Sequence, residues 1–141
     1  MIRVGTSGYN YPEWKGAFYP EDLPASKMLG FYAARFTTVE INYTFYRMPS
    51  EKVLANWDSE TPSDFTFTLK ASRRITHQTP LTEKEETVRT LLSRARVLGP
   101  KLGVVLFQLP PYFRKDLETL DSFLETLPPG ARAAFEFRHR S

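Results

Sequence analysis

Five short strand-like runs stand out, IRVGTS (2–7), TVEIN (38–42), FTFTLKA (65–71), GVVLFQL (103–109) and RAAFEFR (132–138), and apolar and polar residues alternate in the second, third and fifth. Alternation of period two marks a half-buried strand. Between the runs the apolar spacing lengthens to three and four. Met28, Leu29, Tyr32 and Phe36 share one helical face, and Val53, Leu54 and Trp57 make a shorter second. Val88, Leu91, Leu92, Ala95 and Leu98 form a third, and Leu117, Leu120, Phe123, Leu124 and Leu127 a fourth. Thr82 and Glu85 make a capping-box pattern ahead of the third helix. Gly99-Pro100 predicts where that helix stops, and Pro128-Pro129-Gly130 ends the fourth. The predicted order is β-α-β-α-β-α-β-α-β, a parallel sheet with crossover helices.

Two architectures compete for that order. Central strands of a doubly wound sheet are apolar on both faces, because helices cover both. These strands are not. Phe65, Phe67 and Leu69 oppose Thr66, Thr68 and Lys70, Phe135 and Phe137 oppose Glu136 and Arg138, and Val39 and Ile41 oppose Glu40 and Asn42. The polar members come late in each strand. A barrel explains both features, with the aromatic face toward the helices and the polar face lining the interior near its C-terminal mouth. The runs begin at residues 2, 38, 65, 103 and 132, close to the ~31 residues per unit of an eight-fold barrel. GTSG (5–8) lacks the spacing of a dinucleotide phosphate loop. The expectation is therefore a single α/β domain over 1–141: the N-terminal part of a (β/α)8 TIM-like barrel, truncated after the fifth strand. Such a piece leaves two strand edges open and is expected to self-associate through them.

Composition narrows the function classes. The chain has 141 residues, 41% apolar and 25% charged, which is globular rather than disordered. A net charge of +3 favours anionic ligands. With no dense Lys/Arg stripe, it makes nucleic acid an unexpected partner. The absence of cysteine rules out disulfides and thiolate chemistry and fits a reducing cytoplasm. No apolar segment is long enough to span a bilayer, and MIRVGTSGY reads as a strand rather than a signal peptide.

Barrel sites are built from strand ends and the loops that follow them. Ser7, Glu40, Asn42, Lys70, Gln108, Glu136, Arg138 and His139 stand there, and His77 falls in the third such loop. Two readings fit the balanced charges. One is a buried ion-pair network fixing strand register. The other is a ligand site, since a buried network is a poor source of stability. The two histidines fit loop packing, proton transfer or ligand contact. No paired-ligand spacing supports a metal, so none is assigned, and no cofactor is indicated. Ser7 lacks a visible base partner and reads as structural or ligand-binding. The long first loop carries Tyr9, Tyr11, Trp14, Phe18 and Tyr19, and the second adds Tyr43, Phe45, Tyr46 and Arg47. These aromatics fit self-packing as a lid or stacking on a sugar or base. Arg73 and Arg74 beside the mouth fit a phosphate or carboxylate, or a solvated loop. The prolines after Gln108-Leu109 end strand four abruptly.

Five segments, VGTSGYNYPEWKGAFYP, TVEINYTFYRMPS, LKASRRITH, LGVVLFQLPP and AFEFRHRS, resemble in order the hallmark segments of the YecE-like family, domain of unknown function seventy-two. The resemblance covers essentially the whole chain. It implies a TIM-like barrel of bacteria and archaea, of which this chain resembles the N-terminal five-eighths, and it brings no reaction. The family's hallmark residues fall here on Gly5, Ser7, Gly8, Glu40, Asn42, Tyr46, Lys70, Thr76, His77, Gln108, Glu136, Arg138 and His139. Arg140 departs from the family's usual proline, which puts the fifth loop in question rather than the fold.

The functional expectation is a TIM-barrel lyase, isomerase or hydrolase acting on a small anionic or sugar-like substrate. Glu40 and Glu136 would share acid–base work, and His77 or His139 would shuttle a proton. Lys70 and Arg138 would hold the anion, with Asn42 and Gln108 orienting it and Ser7, Tyr46 and Arg73 in ligand contact. A binding barrel without turnover is the alternative, and a metal-dependent barrel acting on nucleic acid is a second.

Overall fold

The structure, a computed structural model, describes residues 2–78, 81 and 85–141. Five parallel strands lie in sequential order, β1 (Gly5–Ser7), β2 (Thr38–Ile41), β3 (Thr66–Lys70), β4 (Leu102–Gln108) and β5 (Ala133–Glu136). Each neighbouring pair is parallel. The order runs one way across the sheet, whereas a doubly wound sheet reverses at a switch point. The connecting helices are α1 (Met28–Ala33), α2 (Tyr43–Tyr46), α3 (Glu51–Ser59), α4 (Arg73–Thr76), α5 (Glu85–Ala95) and α6 (Leu117–Glu125). Thr82, half of the expected capping box, lies outside the described residues. None of the described helices is long and apolar enough to cross a membrane.

The period-two pattern sorts the faces as expected. Val39, Ile41, Phe67, Leu69, Val105 and Phe107 are buried against the helices, while Glu40, Thr68, Lys70, Leu106 and Gln108 on the other face are half-buried. Two apolar clusters form on the helix side. One joins β2 and β3 to α1, α3, the first loop and, through Ala95, Leu98 and Leu102, the end of α5 and the start of β4; the other joins the rest of β4 and β5 to α4, α5 and α6. They divide the sheet at β3, whose Phe67 and Leu69 belong to the first cluster while Ala71, just past its end, belongs to the second. A register shift between Phe67 and Leu69 falls at the same seam.

The element ends differ from the sequence reading for identifiable reasons. The first strand starts at Gly5 rather than residue 2, because β2 begins opposite it at Thr38 and nothing earlier has a partner. Ile2 and Val4 are consequently 92% and 63% exposed. Arg3 instead ties this lead-in down, its guanidinium donating to the Asp64 carbonyl at 2.8 Å. Gly5 lies so close to β2 that a Cβ there would sit 2.0 Å from the Thr38 carbonyl oxygen. The fifth strand ends at Glu136, two residues early. The Leu109 amide donates to the Glu136 carbonyl at 2.9 Å, and the next residue whose N–H would face this side is Pro111, which has none to continue the ladder. Phe137, expected on the helix face, is 59% exposed. The third helix stops at Ala95 and tightens into a 3-10 turn over Arg96–Lys101 that crosses Gly99 at φ 51° and Pro100. Leu98 is buried nonetheless. On α6 only Phe123 is fully buried, and Leu117 and Leu124 face solvent, because this helix packs beside the edge strand β5.

Candidate functional site

The C-terminal strand ends carry three small groupings of polar side chains. The first spans β1 and β2, where the register sets Ser7 opposite Glu40. The Ser7 hydroxyl donates to Glu40 Oε1 at 2.7 Å, and Asn42 Nδ2 donates to Ser7 Oγ at 2.8 Å. The Gly8 amide, donating to the Glu40 carbonyl at 2.8 Å, extends the ladder one step past β1 and holds this corner together. Asn42 heads α2, a single helical turn that the sequence reading left as loop. Thr44 anchors that turn. Its hydroxyl is buried and lies 2.7 Å from the Lys70 carbonyl and 3.1 Å from that of Ile41.

The second grouping belongs to β4 and β5. Gln108 stands opposite Glu136 and its Nε2 donates to both carboxylate oxygens, at 2.9 and 2.8 Å. Arg138 Nε approaches Glu136 Oε1 at 3.9 Å, with both side chains nearly half exposed. A pair that long and that wet is worth about 0–1 kcal/mol. No ion pair joins Lys70 to either carboxylate among the described residues. The charges therefore do not close into a buried network that would fix the strands.

Between these groupings lies the third. Lys70 Nζ sits 5.1 Å from the centroid of the Phe45 ring, and the His77 imidazole meets the same ring edge-on at 5.2 Å. The Thr76 hydroxyl lies 2.7 Å from His77 Nδ1. Burial, and then the charges of Lys70 and Arg138, hold the His77 pKa below its ordinary 6.5. The neutral ring therefore prevails at neutral pH, as a proton acceptor requires.

Three predicted site residues stand apart from these groupings. Tyr46 is 70% exposed and touches the ring of its neighbour Phe45. Arg73 opens α4 with its side chain exposed. His139 turns toward the chain end, where its Nδ1 accepts the Ser141 amide at 3.0 Å. Among the described residues no three His, Asp or Glu side chains gather as a metal site. The first-loop aromatics divide. Trp14, Phe18 and Tyr19 pack on one another and on α1. Tyr9 and Tyr11 line a cavity with Tyr43 and Trp57. The sequence marks Trp57 only as a member of an apolar helical face; its second role as a cavity wall leaves no trace in the spacing.

Comparison with known proteins gives consistent matches. Residues 3–141 match the family described as a protein of unknown function, DUF72. The chain is 32% identical over 140 residues to the UPF0759 protein YecE of Escherichia coli K12, covering 99% of this chain and 49% of that protein. It is 32% identical over 149 residues to the UPF0759 protein YunF of Bacillus subtilis strain 168, covering 52% of that protein. The chain thus spans about half the length of the curated relatives it matches. Among solved structures, a DUF72 family protein of Thermotoga maritima superposes with a TM-score of 0.74 at 32% identity, over 96% of this chain and 55% of that one. One from Enterococcus faecalis V583 superposes with a TM-score of 0.80 at 21% identity, over 97% and 50%, a likeness of fold alone.

Proposed function

The chain belongs to the DUF72 family, and on that premise we propose that it supplies five units of a (β/α)8 TIM-like barrel whose C-terminal mouth binds a small anionic or sugar-like molecule and transforms it by carboxylate acid–base chemistry. The one-way strand order, the polar interior face and the twofold length of the relatives support the barrel. One observation carries the functional reading. Two carboxylates, Glu40 and Glu136, are each oriented by a neutral side chain, while the cation Lys70 between them is left without a carboxylate partner among the described residues. A purely structural cluster would neutralise that cation; an anion site keeps it available. In this reading Ser7 and Gln108 hold the carboxylates in place, and neutral His77 accepts the proton that Glu40 or Glu136 releases. Three strand spacings of about 4.8 Å separate β2 from β5 along the sheet, so the substrate lies between the carboxylates rather than beside one. The reducing cytoplasm remains the compartment that a cysteine-free chain favours.

Thermal melting against sugar phosphates and small carboxylates tests this. An anionic ligand at a hundred times its Kd stabilises by about 2.7 kcal/mol, and that stabilisation should vanish in Lys70→Met. Glu40→Gln should keep the ligand and lose turnover. Ligand binding with no turnover in either form would leave a binding barrel. Melting curves unmoved by every anion would remove the site altogether.

A further inference from the structure

Beside the Ser7–Glu40–Asn42 grouping, the first loop and α3 enclose a cavity of about 380 Å3. Its walls are the rings of Tyr9, Tyr11, Tyr43 and Trp57, with the amides of Asn10 and Asn42 at hand and no charged side chain among the described residues that line it. The Tyr43 and Trp57 rings meet at 87° with centroids 6.2 Å apart, forming a right-angled corner. Tyr11 is braced by Trp14 at 4.9 Å, and its hydroxyl donates to the Ser7 carbonyl at 2.7 Å. Gly8 makes this arrangement possible. Its φ is 84°, and a Cβ there would fall 2.3 Å from the Tyr11 hydroxyl. Burial, and then the nearby Glu60, raise the Tyr9 hydroxyl above its usual 10.0. It therefore stays protonated and can donate, while Trp57 hydrogen-bonds to it.

We propose that this cavity binds the uncharged ring of a monosaccharide. A sugar presents an apolar C–H face that packs on an aromatic wall, and hydroxyls that each donate and accept. Amides and phenols match such groups, whereas ionised side chains match only one half of each. Asn42 Nδ2 is already engaged by Ser7, but its carbonyl oxygen has no partner among the described residues, and neither has the Asn10 amide. The volume lies at the low end of small-molecule sites, which suits one ring and not a chain of them. The inference deepens the reading of the mouth as a ligand site and rests on it only for placing the ligand at this end of the sheet. It requires neither Glu40 nor Glu136.

The chain has two tryptophans, Trp14 and Trp57. Its emission would be followed while adding the methyl glycosides of glucose, galactose, mannose and N-acetylglucosamine. At least one should give a saturable change that survives in Trp14→Phe. Affinity should fall roughly tenfold or more in Tyr43→Ala, a substitution at a ring 44% exposed and safe for folding. Thermal melting of each variant checks that it is folded. No saturable response to any glycoside in the folded protein, or one undiminished in Tyr43→Ala, overturns the proposal. So does a response to nucleosides alone. Should the glycosides fail while anions still stabilise the chain through Lys70, the mouth remains a ligand site and only the sugar pocket is lost.

Discussion

His77 has its charge set first by burial and then by the cations Lys70 and Arg138, and it sits against the Thr76 hydroxyl and the Phe45 ring. Its pKa is lowered in the folded chain, so on acidification the unfolded chain takes the proton first, near 6.5. Stability from this residue is then present above that value and lost as pH falls through the folded pKa. Urea unfolding at descending pH should show the wild type losing stability faster than His77→Gln across that window. Identical slopes would mean that another group carries the acid sensitivity. The sequence shows that His77 follows the C-terminal end of the third strand. It does not show that the pKa is lowered, because that depends first on burial by the fold and then on Lys70 and Arg138, the latter far along the chain. His139, equally prominent in the sequence, is drawn instead to the backbone of Ser141.

The short helical turn α2 is the element that sequence patterning misses. Tyr, Thr and Phe are indifferent helix formers, and four residues cannot hold a helix by themselves. What fixes the turn is tertiary, namely the Thr44 hydroxyl between the Ile41 and Lys70 carbonyls. Thr44→Val keeps the shape and removes that bond, leaving buried carbonyl oxygens short of a donor. The expected loss is about 1–3 kcal/mol in denaturant unfolding, together with weaker anion binding, since Lys70 is held at the same point. A loss of stability without any change in binding would show that α2 supports the fold alone. The strand faces, by contrast, are legible from the sequence, because alternation is a property of the extended backbone itself. Strand ends are not. Where β5 stops depends on Pro111, just past the end of β4, and where β1 starts depends on Thr38 of β2. Likewise the inward direction of Glu40 and Asn42 can be read from TVEIN, but not their meeting with Ser7, which is a matter of register between distant segments.

At the scale of the molecule, β1 and β5 each have a neighbour on one side only, and the half-buried sheet face away from the helices includes Leu102, Val104 and Leu106. Unpaired edges with adjacent apolar surface recruit further strands. Residues 1–141 alone should therefore show a mass that rises with concentration in sedimentation equilibrium. A concentration-independent monomer with one sharp thermal transition would mean that five strands complete the domain, against the barrel proposal. The division of the core at β3 bears on a different property. Hydrogen bonds link every neighbouring pair of strands from β1 to β5, with one irregular step at β3, and the buried apolar side chains fall into two sets. The two sets are nonetheless tied, because α5 and β4 lend Ala95 and Leu102 to the first and Val88, Leu91, Val105 and Phe107 to the second, so opening the second half strips packing from the first and the two melt together.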